Sequence, residues 1–490
     1  MVSLGQTALV PLNRAAGDLQ GQLYRALRAR ILGGSLPAGT RLPSTRQLAL
    51  SLGLARATVV GAYERLQAEG YLLHAPGKTS RVADIPALAA PPPLPLRRRP
   101  SHLPLPSSPV ASPKPTLLAP GVPDLTSFPI SLWARALAAQ TRRLTPEALG
   151  YQSPFGLPSV REAILAHISI TRGVVATPDQ LLLFPSTRAA IALIARLVLS
   201  RPTTKPDTVW IEDPSYPSAC QILHQAGGQL VPIAVDPAGL NLDCTDHLPP
   251  PRLIYVTPSH QYPTGVTLSL ARRLRLLEQA QRHDTIILED DYDSEFQFDG
   301  RPVTSVQGID PDDRVAYLGT LAKVLAPGLR LAYAVVPRRL LAQAQQAVML
   351  EGMAVSTPVQ VAFRALLQDG QFSAHIKRMT THYAARMAAF RAAILQICGG
   401  SITPGPGTGG LQLALWFTDP TLDDQALVQA LKLKHYAPRP LSQLYLGSPR
   451  PGLLCGIANL APDRATSIAQ DLARSLSPPH QVHTKIDENF

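Results

Sequence analysis

Cysteine is scarce in this chain, and the few present are scattered. Cys220, Cys244, Cys398 and Cys455 show neither CxxC spacing nor histidine-rich neighbourhoods. That pattern excludes a disulfide framework and a cysteine-based zinc site, and leaves reduced, buried thiols as the expectation. Aromatic residues make up only 5% of the sequence, so its core must be aliphatic. No apolar run reaches the roughly 18–20 residues of a membrane span. The opening residues, MVSLGQTALVPLN, lack the basic start and apolar stretch of a secretory leader. A cytoplasmic protein is the expectation.

Acidic residues are depleted in one region only. Residues 1–83 hold ten Lys/Arg against three Asp/Glu, and residues 84–115 hold four against one. Of the net charge of +12, only +2 therefore falls on the remaining three quarters of the chain. A generically basic surface would spread its charge; a basic head on a nearly neutral body points to a polyanion as the head's partner. At 490 residues with 45% apolar content, the chain exceeds what one core organises, so several domains are expected. No internal repeat is apparent.

The head reads as a helix-turn-helix followed by a hairpin. Leu23, Ala26, Leu27 and Ile31 recur at helical spacing, and Gly33-Gly34 stop that helix. Ser44 caps a short helix through Leu52, Gly53 breaks it, and a second helix runs from Arg56 to about Glu69. Residues 71–82 alternate as a hairpin with Pro76-Gly77-Lys78 at its tip. The second helix of such a pair enters the major groove with its N-terminal side chains on base edges, which places Arg56 and Thr58 there. Arg46, Lys78 and the Gly77 backbone would meet phosphates or the minor groove. A small helical dimerisation module is the competing reading of the same pattern. Residues 84–116 form a linker with proline at about a third of positions, a polyproline-type spacer carrying Arg97 to Arg99.

The body carries the chemistry. Residues 319–330, GTLAKVLAPGLR, set Lys323 between two apolar strands, where α/β folds hold ligands. A lysine desolvated there loses pKa and becomes an amine nucleophile suited to Schiff-base chemistry with an aldehyde such as pyridoxal phosphate. Arg330 would grip a phosphate with its planar fork. Taken alone, this segment reads equally as a surface lysine in an ordinary loop. The segment TIILEDDYDSEF shifts the balance: a strand ends at Asp290, placed to face a pyridinium nitrogen, with Tyr292 placed for the ring's 3-oxygen. VWIEDPSYP ends in Tyr216, whose ring would stack on the cofactor. Strands alternating with helices through Val336 imply a mainly parallel sheet, and two long helical stretches, residues 338–346 and 357–397, lead into a smaller subdomain.

Residues 117–478 resemble a fold-type I aminotransferase, and the first eighty-odd residues resemble a GntR-type winged helix. Together they resemble the MocR family of transcriptional regulators. The implied architecture is multidomain. An α+β winged helix-turn-helix head (1–83) and a Pro-rich linker (84–116) precede an α/β, aspartate aminotransferase-like body (117–490). The body's large subdomain spans about 151–340, and its small one about 117–150 and 341–480. The resemblance implies pyridoxal phosphate bound through Lys323, Asp290 on the pyridine nitrogen, Tyr292 on the phenolic oxygen, Arg330 on the phosphate and Tyr216 over the ring. Ser186, Thr187 and Thr320 join them as cofactor contacts. Arg46, Arg56, Thr58, Gly77 and Lys78 match positions that contact double-stranded DNA. A homodimer gripping repeated half-sites and a small amine or amino-acid effector complete the expectation.

Several positions depart from the aminotransferase pattern. Ala322 stands where a phosphate-bonding serine is usual, and Tyr262 where an asparagine often bonds the cofactor. Ser186-Thr187-Arg188 replaces a glycine-containing turn. GLLCGIAN replaces the segment that carries a carboxylate-gripping arginine, leaving Arg439, ahead of Arg450, as the nearest substitute. Val60 stands at a position where relatives carry a DNA-contacting arginine. These departures weigh toward a sensor of an amine, an amino acid or the cofactor, with an aminotransferase bearing an accessory DNA-binding head as the alternative.

Overall fold

A computed structural model of the chain describes residues 12–73, 79–84, 117–143, 145–146, 150–199, 206–298 and 304–476. It divides into two compact units, residues 1–102 and 103–490, each with its own core. The expected hairpin tip with Gly77 and Lys78, the Pro-rich stretch and Arg97 to Arg99 lie outside the described residues.

In the first unit, helices α1 (Leu19–Leu32), α2 (Thr45–Leu52) and α3 (Arg56–Ala68) pack around Leu23, Leu27, Val59, Ala62 and Leu66. The helical spacing of these apolar residues produces one buried stripe per helix. Ser44 and Gln47 form a reciprocal cap on α2: Ser44 Oγ accepts from Gln47 N, and Gln47 Oε1 accepts from Ser44 N, each at 3.2 Å. Gly53, at φ 62°, ends α2 in a left-handed turn that a side chain would strain. Strands β1 (Leu72–Leu73) and β2 (Arg81–Val82) pair antiparallel behind α3.

The second unit is built on an eight-stranded sheet. In chain order its strands are β3 (Leu181–Phe184), β4 (Thr208–Asp213), β5 (Gln229–Asp236), β6 (Gly239–Leu240), β7 (Leu253–Val256), β8 (Ile286–Asp291), β9 (Val315–Thr320) and β10 (Ala332–Val335). They lie in the order β3-β10-β9-β8-β7-β4-β5-β6. Strands β5, β4, β7, β8 and β9 run parallel; β10 runs antiparallel to both β3 and β9. The mainly parallel sheet thus carries two reversed strands: the two-residue β6 at its edge, antiparallel to β5, and β10, which turns back because residues 321–331 alone join it to β9, too few for a crossover. Strands β3, β7, β8, β9 and β10 are buried along their whole length, as their aliphatic composition requires when helices cover both faces.

This topology sends the C-terminal ends of β3, β4, β7, β8 and β9 to one edge of the sheet. A smaller antiparallel sheet follows, β11 (Ile402–Pro404), β12 (Gln412–Phe417), β14 (Gly452–Gly456) and β13 (Arg439–Pro440), in that spatial order. Helices Gln371–Cys398 and Ala465–Leu476 pack with it into the core that holds Phe390, Ile394, Leu415 and Ile468. The helix expected over 357–397 is two helices, Thr357–Gln368 and Gln371–Cys398, because Gly370 adopts φ 68° between them. Cys220, Cys398 and Cys455 are free and buried. Among the described residues no helix is long and apolar enough to cross a membrane.

Replacing Ser44 by Ala removes the reciprocal cap and should destabilise the first unit by about 1 kcal/mol, within the 0.5–2 kcal/mol typical of such caps. Urea unfolding followed by helical circular dichroism should show the loss in the first unit's transition alone.

Candidate functional site

The edge where the parallel strands end holds a cavity lined by Gly121, Ser186, Tyr216, Asp290, Tyr292 and Lys323, among others. Asp290 lies within β8, and Ser186, Tyr216, Tyr292 and Lys323 stand one to three residues beyond the ends of β3, β4, β8 and β9, so rigid elements fix them. Lys323 lies in a one-turn helix, Leu321–Val324, that continues β9 directly; the expected loop is a helical turn. Its Nζ donates to the Gly121 carbonyl at 2.6 Å. Burial lowers its pKa to about 8, with Arg439 and Arg188 also disfavouring the charge and Asp293 and Asp290 supporting it.

Asp290 stands next to last in β8 and is 4% exposed. Its Oδ2 accepts from Tyr255 Oη at 2.8 Å, whereas its Oδ1 is buried with no hydrogen-bond partner. Burial raises its pKa to about 6, against the Tyr255 bond and the pull of Lys323. Tyr292 Oη donates to the His260 carbonyl at 3.1 Å. Tyr216, at the start of helix Pro217–Gln225, meets Tyr262 edge to face at 5.4 Å, and Tyr262 meets Tyr292 likewise at 6.2 Å.

Ser186 sits just before helix Thr187–Leu199, where its Oγ accepts from Ala189 N at 3.2 Å. Such a helix start presents unsatisfied N–H groups to an anion. Thr187, Arg188, Thr320 and Arg330 line the same cavity. Thr320 Oγ1 is engaged by Ala322 N at 3.1 Å. Arg330, exposed and at φ 52°, makes no salt bridge among the described residues. Arg439, on β13, lies near Tyr262 and its charge opposes the burial that pushes the Tyr262 pKa up to about 12. Arg450 instead lies over the Trp416 ring, 5.7 Å from its centroid.

Three residues here carried no signal in the sequence. Tyr255 is inside β7, Gly121 is 202 residues from Lys323, and Gln412 opens β12; each is placed by tertiary packing alone. Two polar pairs brace the site from behind. Arg172 Nε donates to Asp291 Oδ2 at 2.8 Å, and Tyr317 Oη to the same oxygen at 2.7 Å. His260 bridges Asp293 (2.9 Å) and Gln297 (2.8 Å), while Asp293 Oδ2 accepts from Leu411 N at 3.2 Å.

In the first unit, Arg46 near the start of α2 and Arg56 at the start of α3 are exposed, and Thr58 is half-buried in the first turn of α3. Ala55, which caps α3, brings no side-chain hydrogen bond, so the helix start is open.

Two family profiles match the chain: bacterial regulatory proteins of the gntR family over residues 19–82, and aminotransferase class I and II over residues 115–463. It is 37% identical over 471 residues to the probable rhizopine catabolism regulatory protein MocR of Rhizobium meliloti, spanning 94% of this chain and 93% of that one. The chain belongs to the MocR family. Its MocR-type pairing of regions also aligns with the pyridoxine biosynthesis transcriptional regulator PdxR of Corynebacterium glutamicum, 30% identical over 74% of this chain and 76% of that protein. The body of this MocR-family chain has the fold-type I aminotransferase fold. It superposes on the α-aminoadipate aminotransferase LysN of Thermus thermophilus with a TM-score of 0.67 at 25% identity, covering 74% of this chain and 92% of that one. Kynurenine aminotransferase of Pyrococcus horikoshii gives 0.68 at 22% identity, covering 74% and 93%. A fold of this type implies pyridoxal phosphate as cofactor.

With its pKa lowered to about 8, Lys323 is half neutral near that pH, and the neutral amine is the nucleophile. Its acylation by a neutral reagent such as acetic anhydride, followed by peptide mapping, should rise through pH 8 and level off about two units below an ordinary lysine, for which ~10.4 is the reference.

Proposed function

We propose that this chain is a DNA-binding transcriptional regulator whose body carries pyridoxal phosphate on Lys323 and responds to an amine, an amino acid or the cofactor itself. The observation that carries the cofactor assignment is Asp290: one oxygen is fixed by Tyr255, the other is buried without a donor, and Lys323 lines the same cavity. A protonated pyridine nitrogen is the donor that this oxygen lacks. The residues present therefore fit the group.

In this reading Ser186, Thr187, the open N–H groups of their helix and Arg330 hold the phosphate. Tyr292 faces the ring's oxygen, Tyr216 covers a ring face, and Thr320 supports the turn that carries Lys323. When bound, pyridoxal phosphate supplies an aldehyde for amines and an electron sink. Asp290 keeps a proton on the ring nitrogen, and Lys323 presents a neutral amine at mildly alkaline pH. Arg439 receives a carboxylate of the effector. Ala322 offers no hydroxyl beside Lys323, which favours binding and response over sustained turnover.

The head, residues 1–83, reads DNA through Arg56 and Thr58 on base edges, with Arg46, Gly77 and Lys78 on the backbone. Residues 84–116 link it to the body, 117–490, and two copies pair to present two heads to an operator with repeated half-sites. The basic excess of the first 115 residues supports this assignment.

Purified protein given pyridoxal phosphate should gain an absorbance band near ~420 nm from the bound cofactor, and Lys323→Ala should lose it. A borohydride-fixed label on another lysine would refute the assignment. Turnover of an amine at ~1 s⁻¹ or faster with no change in DNA binding would favour the aminotransferase alternative.

Arg56→Ala should weaken operator binding by ~1–3 kcal/mol and relax selectivity at one base pair. Wild-type affinity should itself fall by roughly 10³–10⁵ between 50 and 200 mM salt if six to ten phosphates are contacted. Mobility-shift titrations over an operator mutant series read both; an unchanged profile for the variant removes Arg56 from base recognition.

A further inference from the structure

Asp290 is not the only unsatisfied acceptor among the residues lining the cavity. Gln412, the first residue of β12, lines the cavity with Asp290, Tyr292 and Lys323 and is 8% exposed. Its Nε2 donates to Tyr292 Oη at 3.4 Å, while its Oε1 is buried and has no hydrogen-bond partner. The orientation of this amide follows from its neighbour. Tyr292 gives its proton to the His260 carbonyl, so its oxygen can only accept from Gln412; turning the amide over would set two acceptors against each other.

The position is also rigid. Leu411 N donates to Asp293 Oδ2 at 3.2 Å, Ile457 N donates to the Leu411 carbonyl at 2.9 Å, and β12 pairs with β14 from Gln412 onward. Gln412 therefore has little backbone freedom with which to find a donor elsewhere. A buried carbonyl oxygen in this state favours any ligand that brings a donor to it, and discriminates against one that does not.

The donor is best neutral. Arg188 lines this cavity and disfavours positive charge at Lys323, as Arg439 does, whereas Asp293 and Asp290 support it. Both Asp293 oxygens are already engaged by His260 and Leu411 N, and Asp290 serves the ring nitrogen, so a second ammonium would be buried without a carboxylate of its own, whereas a hydroxyl needs none. We infer that Gln412 is a specificity-determining residue of the amine site, and that the amine admitted best carries a hydroxyl group besides its reacting nitrogen. This rests on the cofactor reading above and names the ligand class for it.

The test uses the full-length protein loaded with pyridoxal phosphate and three matched pairs of probes. These are L-serine with L-alanine, L-homoserine with L-2-aminobutyrate, and 4-amino-3-hydroxybutyrate with 4-aminobutyrate. Dissociation constants come from the absorbance change of the bound cofactor and, independently, from titration calorimetry. In the wild type the hydroxylated member of at least one pair should bind roughly tenfold tighter or more. Gln412→Leu should bring that ratio to within about threefold of unity, chiefly by weakening the hydroxylated member.

Equal binding of both members of every pair, binding of neither, or a preference that survives in Gln412→Leu overturns the inference. If the variant does not fold, the wild-type ratios alone decide. A wild-type protein that shows no cofactor band at all sinks the cofactor reading itself; a normal band without discrimination sinks only the role of Gln412.

Discussion

A carboxylate is held near the end of a fully buried strand without a cation bonded to it, and much of the body is arranged around that fact. Asp290 is covered on one oxygen by Tyr255 and left open on the other, and burial alone would favour its neutral form. Its immediate neighbour carries a second carboxylate, Asp291, on the opposite face of β8. Two adjacent charges in a low-dielectric interior are tolerable only if one is neutralised. Arg172 and Tyr317 do that for Asp291, whose pKa ends below the ordinary range because the guanidinium and its hydrogen bonds outweigh burial. The ion pair behind the strand is thus what leaves Asp290 as the unsatisfied group in front of it.

The same division of labour recurs around Tyr292 and Asp293. Tyr292 faces the cavity, while Asp293 binds the His260 ring and the Leu411 amide. Burial opposes a charged imidazole here, yet Asp293, together with the hydrogen bonds from both neighbours, raises the His260 pKa. This cluster ties the turn after β7, the end of β8 and the start of β12, so the larger and smaller sheets of the body share a polar clasp beside the cavity. Removing one partner from a buried charged pair typically costs about 3–5 kcal/mol, because the other is left unpaired. Position at the site is therefore secured by groups that never touch a ligand.

The sequence made the strand-end residues legible because their chemistry is local: a carboxylate after an apolar run, a lysine after another, a serine before a helix. Lys323, Asp290, Tyr292, Tyr216, Ser186 and Arg330 all line one cavity for that reason. Tyr255, Gly121 and Gln412 were illegible because their roles come from partners 35, 202 and 120 residues away in sequence, across the fold. The reversal of β10 and the break at Gly370 were missed for smaller causes, a connection too short to cross over and a left-handed glycine inside a strong helical pattern. In the head the caps, the Gly53 stop and the order of helices followed directly from residue type, since each is decided within one turn of chain.

The bond from Lys323 to the Gly121 carbonyl ties the reactive nitrogen to the beginning of the body. Upstream of it, Ala437 N holds the Leu117 carbonyl and Gly456 N the Leu118 carbonyl, both at 2.9 Å; downstream, Asp124 is gripped by Arg386, also at 2.9 Å. Gly121, at φ 73°, is the pliant residue between these two anchors, and a Cβ there would come within 2.9 Å of the lysine nitrogen. From Leu117, the first described residue after the proline-rich stretch, to Gly121 is four residues, at most about 14 Å of extended chain. Whatever engages the lysine nitrogen elsewhere frees that carbonyl and leaves the Leu117–Gly121 segment held, among the described residues, by its two backbone bonds to Ala437 and Gly456 alone.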